Sequence, residues 1–463
     1  MKIVIAPDSF KENLTSLEVA NELEAGLRRV WPDADYIKVP MADGGEGTVQ
    51  SLVDATSGRI IKCAVTGPLG QKVLASYGLL GDGETAVIEM AEASGLPLVP
   101  KPERDPLRAT TFGTGELVAD AVHRGVTNII IGLGGSATND GGAGFAQALG
   151  VRFLDKDGAP ITDPLGGGQL DQVHSVDTTN INPGLANIAI SVACDVTNPY
   201  VGPKGASAVY GPQKGATPEM VARLDANLTH LAAVIKRDLG IDFSDEPGAG
   251  AGGGLGGGLL AFTQAVMKRG VELVIDAVQL DRHMQGASLA LTGEGRVDFQ
   301  TAFGKTPSGV ATVARRHGVP VIAIGGGLAD DASGVFQHGI DAIEASTPNA
   351  MPLEVAMQKS RQYLQNAAER VARLIVIGQR MAGSAGNAMA KPEPEPAEAG
   401  DESAAPASAA LNGAHPPAFV QPIQKSNKPV KRFLRAKRVQ GLTRAAVELA
   451  RRRQKLAGAA GRH

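Results

Sequence analysis

Short apolar runs alternate with helical repeats along most of this chain, and this alternation constrains the fold more than any other feature. The run from Lys2 to Ala6 is β-branched and ends at a proline, as a buried strand does when it enters a loop. A helix should follow, because Thr15 and Glu18 have capping-box spacing and apolar residues then recur at helical intervals. A second strand-like run covers 36–39. The order strand, helix, strand predicts the opening of a parallel α/β sheet.

The same pattern continues to about residue 380, and it indicates more than one domain. At 463 residues, the chain exceeds what one hydrophobic core usually supports. Further strands are predicted at 85–90, 128–131, 188–194, 289–291 and 319–324, and helices at 115–124, 218–239 and 353–377.

The early and late strand segments look alike, whereas the middle carries longer loops. We therefore expect an α/β fold of two domains. A flavodoxin-like or Rossmann-like parallel-sheet domain would be built from 1–63 plus 286–380, and a second α/β domain, 64–285, would be inserted into it.

The last part of the chain has a different composition. Residues 381–424 are rich in Ala, Pro, Glu and Ser, which predicts a disordered linker. Residues 425–463 hold thirteen Lys or Arg against the single acid Glu448, so this tail carries about +12 and the rest about -15 of the net charge of -3. Two interpretations stay open: an extension without a partner, or a salt-sensitive contact with a polyanion. The body itself is not expected to bind nucleic acid.

Several classes of protein are disfavoured. Cys63 and Cys194 are the only cysteines, which argues against a disulfide framework or a zinc cluster. No apolar stretch is long enough to span a bilayer, and the N-terminal apolar run is too short for a signal peptide. We expect a cytoplasmic protein.

Four polar, glycine-flanked blocks carry the candidate chemistry. They lie at Pro7 to Ser16, Met41 to Thr48, Gly132 to Gly142 and Thr292 to Pro307, and three of them begin just after a predicted strand. Ligands of open α/β sheets bind outside the carboxyl ends of the strands, so these loops are placed to share one site.

The side chains of these blocks suit phosphoryl transfer. Glycine-rich backbone presents N–H groups to phosphate oxygens, lysines neutralise charge, one or two carboxylates hold Mg²⁺, and a further carboxylate accepts the proton of the attacking hydroxyl. From these blocks we select two lysines, five acids and three hydroxyls as a matched set: Lys11, Lys305, Asp43, Glu46, Asp140, Glu294, Asp298, Ser136, Thr138 and Thr306.

Two common nucleotide motifs do not account for these blocks. Phe299 stands where a Walker A loop ending in Gly304, Lys305 and Thr306 requires its first glycine. The G-x-G-x-x-G match within 248–258 follows no convincing strand, which disfavours a dinucleotide-dependent reductase. Considered alone, the glycines of the third block could simply be turn glycines.

Taken together, the blocks resemble the bacterial glycerate kinase family that contains the D-glycerate 2-kinases. The matching segments are APDSFKENLTS, PMADGGEGT, GLGGSATNDGGAG, ACDVTNPYVGPKGA, YGPQKGA, PGAGAGGGLGGGL and LTGEGRVDFQTAFGKTP, and they cover about residues 1–380. The resemblance implies a two-domain enzyme that transfers the γ-phosphoryl group of ATP, with Mg²⁺, to D-glycerate. The product would be 2-phosphoglycerate, with 3-phosphoglycerate the less favoured alternative.

Individual roles are assigned from chemistry and remain hypotheses. Asp195, directly after a predicted strand, is a candidate for the general base or for the metal, with Lys11 and Lys305 as the other catalytic candidates. The candidate metal ligands are Asp140, Glu294 and Asp298. The candidates for binding substrate or nucleotide are Ser9, Asp43, Gly44, Gly45, Glu46, Gly135, Ser136, Thr138, Asn198, Gly295, Gly304 and Thr306.

Some of these roles are interchangeable, since Asp43, Glu46, Glu294 and Asp298 compete with Asp195 for the base and metal positions. Two other functions also stay open at this point. One is a kinase for another small hydroxy acid or polyol, and the other is an inactive kinase-like body that delivers the basic tail to a polyanion.

Overall fold

The computed structural model of the protein describes residues 1–388, and the side chains of residues 1–382. The predicted linker therefore lies largely outside the described residues, and the predicted basic tail lies wholly outside them. Within them the chain forms strands β1 (Lys2–Ile5), β2 (Asp35–Lys38), β3 (Arg59–Thr66), β4 (Lys72–Leu79), β5 (Thr85–Glu89), β6 (Asn128–Gly132), β7 (Arg152–Leu154), β8 (Ser175–Asp177), β9 (Ala189–Ala193), β10 (Val266–Lys268), β11 (Leu289–Val297), β12 (Val321–Leu328) and β13 (Ala342–Ala345).

Helices separate most of these strands, so the mixed α/β class predicted from the sequence is confirmed. The helices are α1 (Ser16–Arg28), α2 (Thr48–Thr56), α3 (Ala91–Ser94), α4 (Phe112–His123), α5 (Ala143–Ala148), α6 (Ala206–Tyr210), α7 (Pro218–Leu239), α8 (Leu255–Phe262), α9 (Gly270–Ala277), α10 (Leu280–Met284), α11 (Thr306–Arg316), α12 (Leu353–Gln358) and α13 (Ser360–Ala388).

The first sheet combines strands from both ends of the body. Its order is β13-β12-β11-β1-β2 and all pairs are parallel. Ile3 of β1 lies opposite Leu289 of β11 on one side and Tyr36 of β2 on the other. At the start of α1, Thr15 and Glu18 form the predicted capping box. Helices α1 and α13 pack closely on one face, where a Cβ on Gly26 would come within 2.1 Å of the Gln365 carbonyl oxygen.

The second sheet is formed by the middle of the chain. Its order is β10-β9-β6-β5-β4-β3, of which β10, β9, β6 and β5 are parallel and β4 and β3 are antiparallel. A separate two-stranded antiparallel ribbon pairs β7 with β8. The predicted domain boundary after residue 63 falls inside β3, and the exact domain limits stay a prediction.

Two elements differ from the sequence-based expectations. β11 continues beyond residue 291 to Val297, so Glu294 and Gly295 lie on a strand rather than in a loop. β12 continues through Gly325, Gly326 and Gly327 to Leu328. The glycines permit this pairing, because a Cβ on Gly326 would lie 2.3 Å from the Gly295 carbonyl oxygen.

Candidate functional site

The carboxyl ends of strands from both sheets meet around one cavity of about 310 Å³. Loops after β1, β2, β6 and β9 bring Lys11, Asp43, Ser136 and Asp195 to its wall. Three predicted glycines, Gly44, Gly45 and Gly135, also line it. Residues far apart in sequence thus share one site at the position expected for open α/β sheets.

The loop after β2 contacts the second sheet through glycine. Gly44 has φ +93°, and a Cβ there would lie 2.6 Å from the Cα of Gly270, at the start of α9. The same atom would lie 3.1 Å from the Cβ of Ala193, at the end of β9. Within the loop, the Gly45 N–H donates to the Asp43 carboxylate at 3.0 Å. The position therefore requires glycine for both conformation and space.

Asp195 presents a carboxylate to the cavity. One of its oxygens accepts the Gly270 N–H at 3.1 Å. Partial removal from water raises its pKa, the negative charge of Asp43 adds to that rise, and the positive charge of Arg269 opposes it. A carboxylate with a raised pKa beside the open cavity is suited to accept a proton from a hydroxyl.

A buried lysine supports the glycine-rich loop after β6. Lys214 is 1% exposed, and its ammonium group donates to the Thr138 carbonyl oxygen at 2.6 Å. Burial lowers its pKa to about 7, and the neighbouring Asp140 opposes that change. Thr138 itself is buried, so its role is to hold the loop that carries Gly135 and Ser136. The YGPQKGA segment pointed to this region, but no role was assigned to its lysine.

A second group of charged residues lies between β11 and α11. The Lys305 ammonium is 3.2 Å from Glu294 and 3.7 Å from Asp298. Glu294 also accepts a hydrogen bond from the Thr301 hydroxyl at 2.6 Å. Burial raises the pKa of Glu294, although Thr301 and Lys305 oppose the rise. These contacts bring three predicted site residues together.

Asp8 joins the two groups and was missed by the sequence analysis. Its carboxylate accepts the Thr306 hydroxyl at 2.6 Å and the Ser9 N–H at 2.7 Å. Burial, together with the negative charge of Asp43, raises its pKa to about 6, and Glu294 contributes to the same rise. The available signal was its place in the loop after β1, from which Ser9 and Lys11 were chosen instead.

Asp140 is placed differently from the other predicted acids. Its side chain is fully buried, and one oxygen accepts both the N–H and the hydroxyl of Thr111 at 2.7 Å. The Gly144 N–H donates to the same oxygen and the Gly142 N–H to the other, each at 3.2 Å. This carboxylate does not line the cavity and its contacts tie the loop to α4 and α5, so the geometry favours a structural role over metal binding.

The remaining predicted residues lie around the edge of these groups. Glu46 is exposed. Asn198 accepts from the Tyr210 hydroxyl at 2.7 Å and donates to the Lys204 carbonyl oxygen at 2.8 Å. A Cβ on Gly295 would lie 3.8 Å from the Cα of Phe10, so this strand passes beside the Lys11 loop.

Within residues 1–388, no three or more His, Cys, Asp or Glu side chains are grouped so that they could hold a metal ion. In the same part of the chain, no helix is long and apolar enough to cross a membrane.

The site combines lysines, glycine-rich backbone and carboxylates. These are the groups that a phosphotransferase acting on an alcohol group of a small molecule requires, and they define the class of this protein.

Comparisons with known proteins agree with that class. Residues 3–376 match the model of the glycerate kinase family. A glycerate kinase of Bacillus subtilis is 54% identical over 381 residues, which cover 82% of this chain and 99% of the relative. A glycerate 2-kinase of Escherichia coli K12 is 51% identical over 383 residues, which cover 83% of this chain and 100% of the relative. The chain belongs to the glycerate kinase family.

A solved structure extends the likeness to three dimensions. A protein of Salmonella typhimurium LT2 assigned as glycerate kinase 2 matches with a TM-score of 0.76 and 52% identity, covering 82% of this chain and 99% of that one. The family match ends at residue 376, so the basic tail predicted at 425–463 has no counterpart in it.

Proposed function

We propose that the protein transfers the γ-phosphoryl group of ATP to the C2 hydroxyl of D-glycerate, giving 2-phosphoglycerate. The observation that carries the proposal is the cavity of about 310 Å³, in which Lys11, Ser136 and Asp195 meet from three different loops. Its size suits a three-carbon acid rather than a whole nucleotide. The relative named glycerate 2-kinase supports the choice of the C2 hydroxyl.

Each end of the substrate has a chemically matched partner in this cavity. The Lys11 ammonium and the backbone N–H groups near Gly135 and Ser136 suit the glycerate carboxylate. Asp195 would accept the hydroxyl proton as the oxygen attacks phosphorus. The Gly270 N–H keeps that carboxylate in place, because it donates to Asp195 at 3.1 Å.

The donor phosphates are assigned to the group around Lys305. Lys305 precedes Thr306 at the start of α11, and the carboxylates of Glu294 and Asp298 hold its ammonium. A lysine in this position would neutralise charge on the transferring group. Thr306, held by Asp8, would fix the start of α11 relative to the Lys11 loop.

The acidic residues also fit a magnesium ion. Asp8, Asp43 and Glu294 are close enough for their negative charges to raise the pKa of Asp8, and a divalent cation would relieve that repulsion. Mg²⁺ needs only one or two protein carboxylates when phosphates complete its shell. Glu294 and Asp298 would hold it. When bound, the ion would neutralise charge on the phosphate oxygens.

The direct test is a ³¹P NMR time course of the purified protein with Mg-ATP and D-glycerate. We expect a phosphomonoester signal coupled to the C2 proton. Coupling to the C3 protons would replace the 2-kinase assignment by a 3-kinase. If no ester forms while a panel of other small hydroxy acids is phosphorylated, the substrate assignment is wrong.

A variant tests the proposed base. Asp195→Asn should lower kcat by about 10²- to 10⁴-fold with an unchanged circular dichroism spectrum. Asp245→Asn, an exposed acid outside the cavity, is the matched control and should keep normal kcat. Near-normal turnover in Asp195→Asn would refute the assignment.

A further inference from the structure

A second and larger cavity, of about 580 Å³, lies between α9 and α11. Val271 and Ile275 of α9 give it an apolar wall, and Gly309 of α11 allows the two helices to approach. A Cβ on Gly309 would lie 2.5 Å from a Val271 methyl carbon and 3.1 Å from the Ile275 Cδ1. The cavity therefore has a firm floor made by two packed helices.

Exposed aromatic rings stand at one edge of this cavity. Phe303 lines it, is 58% exposed, and lies 4.7 Å from the ring of Phe299, which is 51% exposed. His338 also lines the cavity, with its ring 5.3 Å from that of Phe303. Large aromatic side chains exposed beside a cavity offer a face on which a planar ring can stack.

The polar residues of the cavity complement the rest of a nucleoside phosphate. Glu272 and Asp276 lie one turn apart on α9 and supply carboxylate acceptors for ribose hydroxyls. Arg269 and Arg316 supply cations, of which Arg269 is 3.9 Å from Glu272 and Arg316 is 3.9 Å from Asp281. The lining thus mixes both signs of charge with apolar surface, as a small-molecule site does.

This cavity adjoins the group around Lys305, to which the donor phosphates are assigned. Phe303 and Gly304 line it, and the next residue is Lys305, at most about 7 Å from Phe303 between Cα atoms. On the other side, Arg269 precedes Gly270, whose N–H holds Asp195. A Cβ on Gly304 would lie 2.1 Å from Arg269 Nη2, so the guanidinium packs directly on the Gly304 backbone.

We propose that this cavity binds the adenine and ribose of the phosphoryl donor, with adenine stacked on Phe303 and the ribose hydroxyls bonded to Glu272 and Asp276. Arg269 and Lys305 then receive the phosphate chain as it leaves the cavity. The inference rests on the proposed function for the identity of the donor. The larger cavity binds the nucleoside, and the smaller cavity binds the three-carbon acid.

The test compares two phenylalanine variants. Phe303→Ala removes the stacking ring, and Phe336→Ala removes a 47% exposed phenylalanine that does not line the cavity. Loss of one aromatic–base stack should raise KM for ATP and Kd for ADP roughly 5- to 100-fold, with KM for D-glycerate and kcat at saturating ATP within about twofold. Phe303→Tyr should restore near-normal values. Phe336→Ala should behave as the unmodified protein.

ADP binding is measured by calorimetry without glycerate, so that the two proposals fail separately. If the protein makes no phosphoglycerate, the proposed function is wrong. The effect of Phe303→Ala on ADP binding still tests whether the larger cavity binds the nucleoside. Unchanged Kd and KM in a folded Phe303→Ala variant would overturn the inference.

A second measurement avoids variants. The unmodified protein is photolabelled with 8-azido-ATP and its labelled peptides are mapped. Label on Phe299 to Gly304 or on His338 supports the site, and label confined to other segments refutes it.

Discussion

Asp8→Asn should make the protein more stable at neutral pH, although Asp8 lies between the two groups of candidate site residues. The carboxyl group is 8% exposed, and its pKa rises from 3.8 to about 6 in the folded protein because of burial and the nearby charge of Asp43. Between these two values the folded protein binds more protons at this residue than the unfolded chain. The contribution of Asp8 to the free energy of unfolding therefore falls as pH rises from about 4 to about 6.

The size of the effect follows from the pKa change. A rise from 3.8 to about 6 corresponds to a loss of about 3 kcal/mol above pH 7, which is an upper limit for the gain on substitution. Asparagine keeps a carbonyl oxygen for the Ser9 N–H and places its amide beside the Thr306 hydroxyl, so both contacts can persist. For a folded body of this size, about 3 kcal/mol shifts Tm by roughly 4 °C.

The assay is thermal unfolding with EDTA present, from pH 4 to pH 8, for the unmodified protein, Asp8→Asn and the exposed control Asp33→Asn. We expect the Tm of Asp8→Asn to exceed that of the unmodified protein by an amount that grows from near zero at pH 4 to its full size at pH 7. We also expect kcat to fall, since a charge kept in the site at the expense of stability is one that function uses. A Tm difference between Asp8→Asn and the unmodified protein that is independent of pH, or that shrinks towards pH 8, would refute the reasoning.

Three further predictions concern the loops and the tail. Gly44→Ala should destabilise the protein by about 2 kcal/mol or more and lower kcat, because φ is +93° and a Cβ would lie 2.6 Å from Gly270. Urea unfolding and steady-state kinetics test this, and Gly83→Ala, at a position with φ +74° and no neighbour within 4 Å, is the control for conformation alone. For Lys214, whose pKa falls from 10.5 to about 7 on burial, the stability of the unmodified protein relative to Lys214→Met should rise between pH 7 and pH 10, and a flat difference in urea titrations would count against it. Truncation after residue 388 should leave kcat and both KM values unchanged, since the family match ends at 376; any polyanion binding should vanish with the tail and, in the full chain, above about 0.3 M salt.

The sequence predicted those parts of the structure that depend on neighbours along the chain. The capping box of Thr15 and Glu18 is a local signal, and it is present as expected. The predicted strand at 319–324 ends before the glycines 325–327, because glycine disfavours strands by itself. Their place in β12 depends on pairing with β11 and β13, which is a long-range condition.

The same limit applies to the site. Lys11, Asp43 and Asp195 were selected because each follows a predicted strand, and that reasoning needs only the rule for parallel sheets. Lys214 was overlooked because a lysine usually lies in solvent, and only the packing of α6 and the loop after β6 buries it. Asp140 was predicted as a metal ligand from its place in a glycine-rich segment, because the sequence does not show whether such a carboxylate faces a cavity or is enclosed, as it is here.

The pairing of Ile3 with Leu289 also has a consequence for synthesis. β1 and β2 leave the ribosome first. The other neighbour of β1, β11, is made only after the whole second sheet, on the order of 15 to 60 s later at typical elongation rates. During that interval the nascent chain carries an unpaired strand edge, whereas the second sheet gains all its strands and can assemble before β11 is made. Slow translation or early release of the chain should therefore expose this edge to other nascent chains, so yield in the cell would depend on chaperones that cover it until residue 289 emerges.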